Sequence, residues 1–189
     1  MKKTVLTFGL IGGAIMAAMM FATLPFMDKI GFDKGEIVGY TTMILAFMLV
    51  FFGIRSYREN VGGGQITFGR AFAVGILITL VACVCYVAAW EILYFKFMPD
   101  FVDKYVGYAV EKVRASGASQ QVIDAKLEQM KSFKAMYDNP FINVAITFVE
   151  PLPIGLIVTL ISAAILRKKT IAATRDEGRP TRLQVQEEN

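Results

Sequence analysis

The chain contains no histidine. That removes Ser-His and Cys-His catalysis, and it removes the commonest transition-metal ligand. There are two cysteines, Cys83 and Cys85, both inside an apolar run. Residues two apart on a helix point about 200° apart, so these thiols cannot bridge one another. They read as small packing residues. Basic residues do not cluster among aromatics outside the flanks of the apolar runs, which argues against nucleic acid as a partner. The run Gly62-Gly63-Gly64 has no strand pattern before it and no Lys-Ser/Thr pair after it, so it makes a turn and not a phosphate loop. No nucleophile stands with a recognisable base, and no metal-ligand spacing occurs. The chain reads as a non-enzyme with no cofactor and no metal.

What it has in quantity is apolar residue, gathered in blocks. Of 189 residues 55% are hydrophobic, and the mean hydropathy is +0.50. Both values are high for a soluble domain, so the composition points to one membrane domain. Four blocks approach or exceed the length needed to cross a hydrocarbon core of roughly 30 Å. They cover about residues 4–27, 37–54, 70–97 and 141–166. The first follows Lys2 and Lys3. At about 20 residues it outruns the 7–15 of a secretory signal core, so it reads as a retained helix. Asp28–Glu36 reads as a short polar loop, and Thr67 as a cap for the third helix.

Small residues recur four apart in three of the blocks. Gly9, Gly13 and Ala17 form one such stripe, and Ala71, Gly75, Thr79 and Cys83 a second. Gly155, Thr159 and Ala163 form the third. Stripes of this kind let membrane helices approach closely. Three in four helices suggest more packing than one bundle consumes, and hence a homo-oligomer or a larger membrane-protein complex.

Residues 98–139 are the one sizeable polar segment. Phe101, Val102, Tyr105, Val106, Ala109 and Val113 mark one face of a helix, and Val122, Ile123, Leu127, Met130 and Phe133 mark a second. Ser116-Gly117-Ala118-Ser119 separates them, with Ser119 as a cap, which gives an αα-hairpin. Residues 170–189 are poor in large apolar side chains and rich in Arg, Glu and Gln, and read as a disordered tail. The fold class is therefore all-α: an integral membrane four-helix bundle over 1–169, with an extramembrane amphipathic αα-hairpin between the third and fourth spans.

The sharpest candidate site lies in the fourth block, at Glu150-Pro151-Leu152-Pro153. Pro151 and Pro153 lack backbone donors, so the carbonyls of Thr147 and Val149 lose their helical partners. Glu150 and Leu152 each precede a proline and are pushed away from the α region. Two readings follow. In one, a single kinked span carries a carboxylate at membrane depth, where it needs cover from protein or a wet cavity. In the other, the span begins at Pro151, which then sits in a first helical turn with Glu150 near a helix N-terminus. The first predicts that Glu150 points toward the third helix, within reach of Glu91, Tyr86 or Tyr94. It is then bonded to a hydroxyl or to the helix N-terminus, or held protonated. Glu91 lies between Trp90 and Tyr94, at the level of an interfacial aromatic belt, where Lys96 is a further partner for it.

Charge orients the spans. Four crossings put both termini on one side, together with Lys2, Lys3, Arg55, Arg58, Arg70 and six basic residues from Arg167 to Arg182. The opposite side carries nine Lys and Arg, of which six belong to the long hairpin and count weakly. The termini are expected in the cytoplasm and the hairpin outside.

The layout resembles a known family. The matching parts are Gly9-Leu10-Ile11-Gly12-Gly13, Phe52-Gly53-Ile54-Arg55-Ser56-Tyr57-Arg58 and Gly63-Gly64-Gln65-Ile66-Thr67-Phe68. To these add Gly75, the stretch Trp90…Tyr94…Pro99-Asp100-Phe101, and Glu150-Pro151 before Gly155. The sequence is similar to the bacterial membrane proteins grouped as domain of unknown function 4199. The resemblance spans nearly the whole chain and implies four transmembrane helices in a bacterial inner membrane. It implies no activity. The expectation drawn from the residues is an assembly or accessory subunit that acts through helix packing and its outer hairpin, with membrane lipids around it. The alternative is a small transporter or lipid-handling protein with an ion, proton or headgroup site at Glu150 and Glu91.

Overall fold

In the computed structural model, which describes residues 1–168, seven α-helices follow one another. Helix α1 runs Lys2–Thr23 and α2 runs Met27–Asn60, joined by a 3-10 turn at Leu24–Phe26. Pro25 forces that turn, since it has no amide to continue α1. Helix α3 is Phe68–Phe97, α4 Phe101–Ala115 and α5 Gln120–Tyr137. Helices α6, Pro140–Val149, and α7, Leu152–Leu166, follow. Among the described residues there is no strand, only an isolated antiparallel bridge between Ile66 and Lys168. The expected tail, 170–189, lies outside the described residues.

Three stretches are long and apolar enough to cross a membrane: Lys2–Asn60, Phe68–Phe97 and Pro140–Leu166. Two boundaries differ from expectation. Asp28–Glu36 is not a loop but the first turns of α2, broken once at Gly31. Gly31 has φ 70° and ψ 169°, a backbone state open in practice only to glycine, and it sets these turns at an angle to the rest. The polar stretch is helical because only Gly31 and Gly35 within it disfavour helix. Glu150 also departs from expectation. It keeps α-helical angles (φ −58°, ψ −56°), and Pro151 follows with φ −78°, ψ −17°. A following proline disfavours this conformation without forbidding it. Both flanking helices pack on α3, which holds the joint in place. The chain is therefore kinked over two residues and not broken.

The core sits around α3, which packs against α1, α2, α6 and α7. The caps support this arrangement. Thr67 Oγ1 accepts from the Arg70 amide at 3.4 Å, and Asn139 Oδ1 accepts from the Phe141 amide at 3.0 Å. Ser119 occupies the cap position of α5, but its side chain makes no capping bond. Arg58 Nη1 donates to the Leu166 carbonyl at 3.3 Å, so a cation meets the negative end of α7.

The small-residue stripes are used within this chain. A Cβ on Gly9 would meet Val81 at 2.6 Å, and one on Gly13 would meet Cys85 at 2.3 Å. On Gly75 it would meet Thr159 at 2.7 Å, and on Gly155 it would meet Thr79 at 2.3 Å. Gly9 and Gly13 thus seat α1 on α3, and Gly75 with Gly155 seats α3 on α7. Thr79 and Thr159 complete that seam, with their hydroxyls 3.2 Å apart and both side chains fully buried. Ala17 is half-buried on the same helix as Gly9 and Gly13.

The seam gives a prediction. Gly155→Val drives a branched side chain into Thr79 and Phe47. It should lower the stability of the purified protein in detergent by about 1–3 kcal/mol, read as a fall in melting temperature. Gly107→Ala, where an added Cβ meets nothing within 4 Å, should leave the melting temperature unchanged or raise it. Equal behaviour of the two variants would mean that the seam is not tight.

Candidate functional site

Glu150 faces α3. Its Oε2 accepts a hydrogen bond from the Tyr86 hydroxyl at 2.9 Å, so one of the three expected partners is realised. The other two are not. Glu91 lies five residues beyond Tyr86, which turns it about 140° around the helix and moves it about 7.5 Å along. It makes no ion pair among the described residues, to Lys96 or any other cation, and its Oε1 is buried without a hydrogen-bond partner. Tyr94 is buried in an aromatic cluster instead, stacked on Trp90 and edge-on to Tyr137 at 5.5 Å between centroids.

Tyr86 and Glu150 both line a cavity of about 630 Å³. Most of its walls come from α1, α2, α3 and the hairpin, with Ile146 of α6 beside Glu150. Helix α1 supplies Met16, Met20 and Thr23, and α2 supplies Glu36, Tyr40 and Met43. Helix α3 adds Trp90 beside Tyr86, and the hairpin α4–α5 closes the far side with Tyr105, Tyr108, Ala109 and Tyr137. Sequence reasoning missed most of these residues, although their spacing carries the signal. Met16, Met20 and Thr23 share one face of α1, and Glu36, Tyr40 and Met43 share one face of α2. Tyr86 and Trp90 share one face of α3 for the same reason. What the spacing lacks is any sign that these three faces meet.

The hairpin is fastened at two points. On one side the Trp90 indole N–H donates to the Tyr137 hydroxyl at 2.8 Å, tying α5 to α3. On the other, Lys112 Nζ of α4 meets Asp33 Oδ1 of α2 at 2.6 Å, and it also donates to Tyr108 at 3.1 Å. Phe32, next to Asp33, packs on Phe101, Tyr105 and Tyr108. The Asp33–Lys112 pair is exposed to solvent, so the aromatic contacts carry the packing and the ion pair sets the register. Lys134 and Asp103 pair across the hairpin itself.

A family model described as a protein of unknown function, DUF4199, matches residues 7–168. The chain belongs to the DUF4199 family. No curated protein and no solved structure matches it. Membership of DUF4199 covers every helix that lines the cavity, and it leaves the chemistry to be argued from the residues themselves.

In this DUF4199 chain the hairpin latch responds to pH. Lys112, as the closest hydrogen-bond donor, holds the Asp33 carboxyl below its usual range, and Asp33 raises the Lys112 ammonium above its own. A lowered carboxyl contributes stability above its unfolded value, lost as pH falls through the folded one. A raised ammonium contributes below its unfolded value, lost as pH rises through the folded one. The latch is therefore fully made at neutral pH and opens only in acid below the ordinary aspartate value of about 3.9, or in strong base. Asp33→Asn at neutral pH should speed amide hydrogen exchange in α4 severalfold while leaving α3 unchanged. Asp33→Lys combined with Lys112→Asp should restore the slow rate. Exchange in α4 that ignores both changes would show that the aromatic contacts alone hold the hairpin.

Proposed function

We propose that this protein is a non-catalytic, amphiphile-handling protein of a bacterial inner membrane, which holds one lipid-like molecule beneath its helical hairpin. The observation that carries this reading is the cavity of about 630 Å³. It is partly open, walled by methionine and aromatic side chains, and carries a carboxylate–phenol pair in its lining. Ligand cavities are mostly apolar with a few placed polar groups, and this volume falls within their usual range of about 300–1,000 Å³. Methionine walls suit a flexible tail, because the unbranched thioether repacks at little cost.

Four crossings fit the same reading. Lys2–Asn60 is a nearly continuous helical stretch of 59 residues, apolar on both sides of the polar segment Asp28–Glu36. As a single helix it would rise about 88 Å, far more than the roughly 30 Å of a bilayer core. With Pro25 at its middle turn it makes two crossings, α1 and α2. Helix α3 makes a third, and α6 with α7 a fourth. The excess of Lys and Arg beside Lys2, Arg58 and Arg167 favours cytoplasmic termini and an outward hairpin. The small-residue stripes do not argue for a protein partner, since Gly9, Gly13, Gly75 and Gly155 are filled by contacts within the chain. That moves the weight from an assembly subunit to the cavity.

Native mass spectrometry of the protein released from lipid nanodiscs tests this. One retained amphiphile per chain is expected. Met20→Trp with Ala109→Trp, which fills the cavity from two walls, should cut that retention severalfold without altering the helical circular dichroism. Retention that is absent, or equal in the filled variant, counts against the proposal.

A further inference from the structure

The reading just given leaves the chemistry of the headgroup open, and the cavity wall narrows it. Three carboxylates face the cavity, Asp33, Glu36 and Glu150, against two amines, Lys112 and Lys126. Lys112 is engaged by Asp33 on the hairpin side. Lys126 donates to Gln129 Oε1 at 3.1 Å, also on the hairpin. Glu36 and Glu150 form no ion pair among the described residues. Glu36 and Glu150 line the same cavity. Around them stand π-systems: Tyr40, Tyr86, Trp90 and Tyr137 all line the same space.

We infer that the cavity selects an organic cation with an apolar tail, an alkylammonium amphiphile, whose charged head sits between Glu150 and Glu36 among Tyr40, Tyr86 and Trp90. This rests on the amphiphile reading and deepens it. Glu36 and Glu150 are both accessible from this space and neither has a cation among the described residues, so like charges share it, and a cation between them offsets their repulsion. Aromatic faces attract a diffuse ammonium, most strongly when it is desolvated. A compact divalent ion is a poorer occupant, because calcium takes six to eight oxygen ligands and two carboxylates with a phenol supply too few. An anionic head would meet Glu150 and Glu36 as like charges.

The test uses three photoreactive probes with one hexadecyl chain bearing a diazirine. Their heads are trimethylammonium, hydroxyl and carboxylate. The full-length protein in dodecyl maltoside micelles is labelled with each, and peptide mapping counts adducts on the α1 and α2 walls. The ammonium probe should label these walls about tenfold more than the hydroxyl probe, with the carboxylate probe lowest. Glu150→Gln should bring the ammonium probe down to the hydroxyl level. Glu36→Gln, remote from the kink and so a safeguard against a folding defect at Glu150, should give a partial loss in the same direction. Equal labelling by all three probes overturns the cation inference and leaves the amphiphile reading standing. Labelling of the walls by none of them overturns both.

Discussion

Everything in this structure depends on how closely α3 is approached by α1 on one side and α7 on the other. In hydrocarbon there is no hydrophobic gain from burying one apolar helix against another, so association rests on van der Waals packing and hydrogen bonds. Glycines at 9, 13, 75 and 155 remove the side chains that would hold the helices apart. Thr79 and Thr159 then place two hydroxyls within 3.2 Å of one another in the seam, and the Thr79 hydroxyl also reaches the Gly155 carbonyl at 3.5 Å. With α7 fixed in this way, the Pro151 joint is fixed as well, and α6 is held against α3. That is what brings Glu150 to Tyr86.

The cavity is the space this arrangement leaves. The turn at Leu24–Phe26 and the break at Gly31 redirect the chain between α1 and the rest of α2, and α3 runs to Phe97 before the hairpin begins. Trp90–Tyr137 and Asp33–Lys112 bind the hairpin on opposite sides, so it lies across the opening and does not fold down into it. The two fastenings differ in kind. The indole–phenol bond is part of a buried aromatic cluster, whereas the lysine–aspartate pair is exposed and yields to salt and pH.

Much of this was legible beforehand. Apolar blocks of span length marked the long helices, and amphipathic periodicity marked α4 and α5. Asn139-Pro140 marked the start of α6. The glycine stripes correctly flagged close contact, but a stripe does not say whether its partner is in the same chain, and here it was. At the candidate site, Glu150 and its turn toward α3 were legible from the cost of a carboxylate near two prolines. Tyr86 was named as one partner of three. Glu91 and Tyr94 failed for geometric reasons: Glu91 is turned about 140° from Tyr86 around α3, and Tyr94 lies about 12 Å further along it, in the aromatic cluster.

By itself, then, the sequence determined the element types, their approximate ends, the carboxylate beside the prolines of the last apolar block and the family. These follow from composition, period and proline chemistry, all of which are local along the chain. Only the tertiary structure decided that Asp28–Glu36 continues as helix beyond Gly31 and that Glu150 keeps helical angles. It also decided that Glu36, Tyr40, Trp90 and Tyr137 share one cavity with Glu150. Those outcomes depend on which faces of α1, α2, α3 and the hairpin meet. That is settled by packing between residues far apart in the chain, which no local pattern encodes.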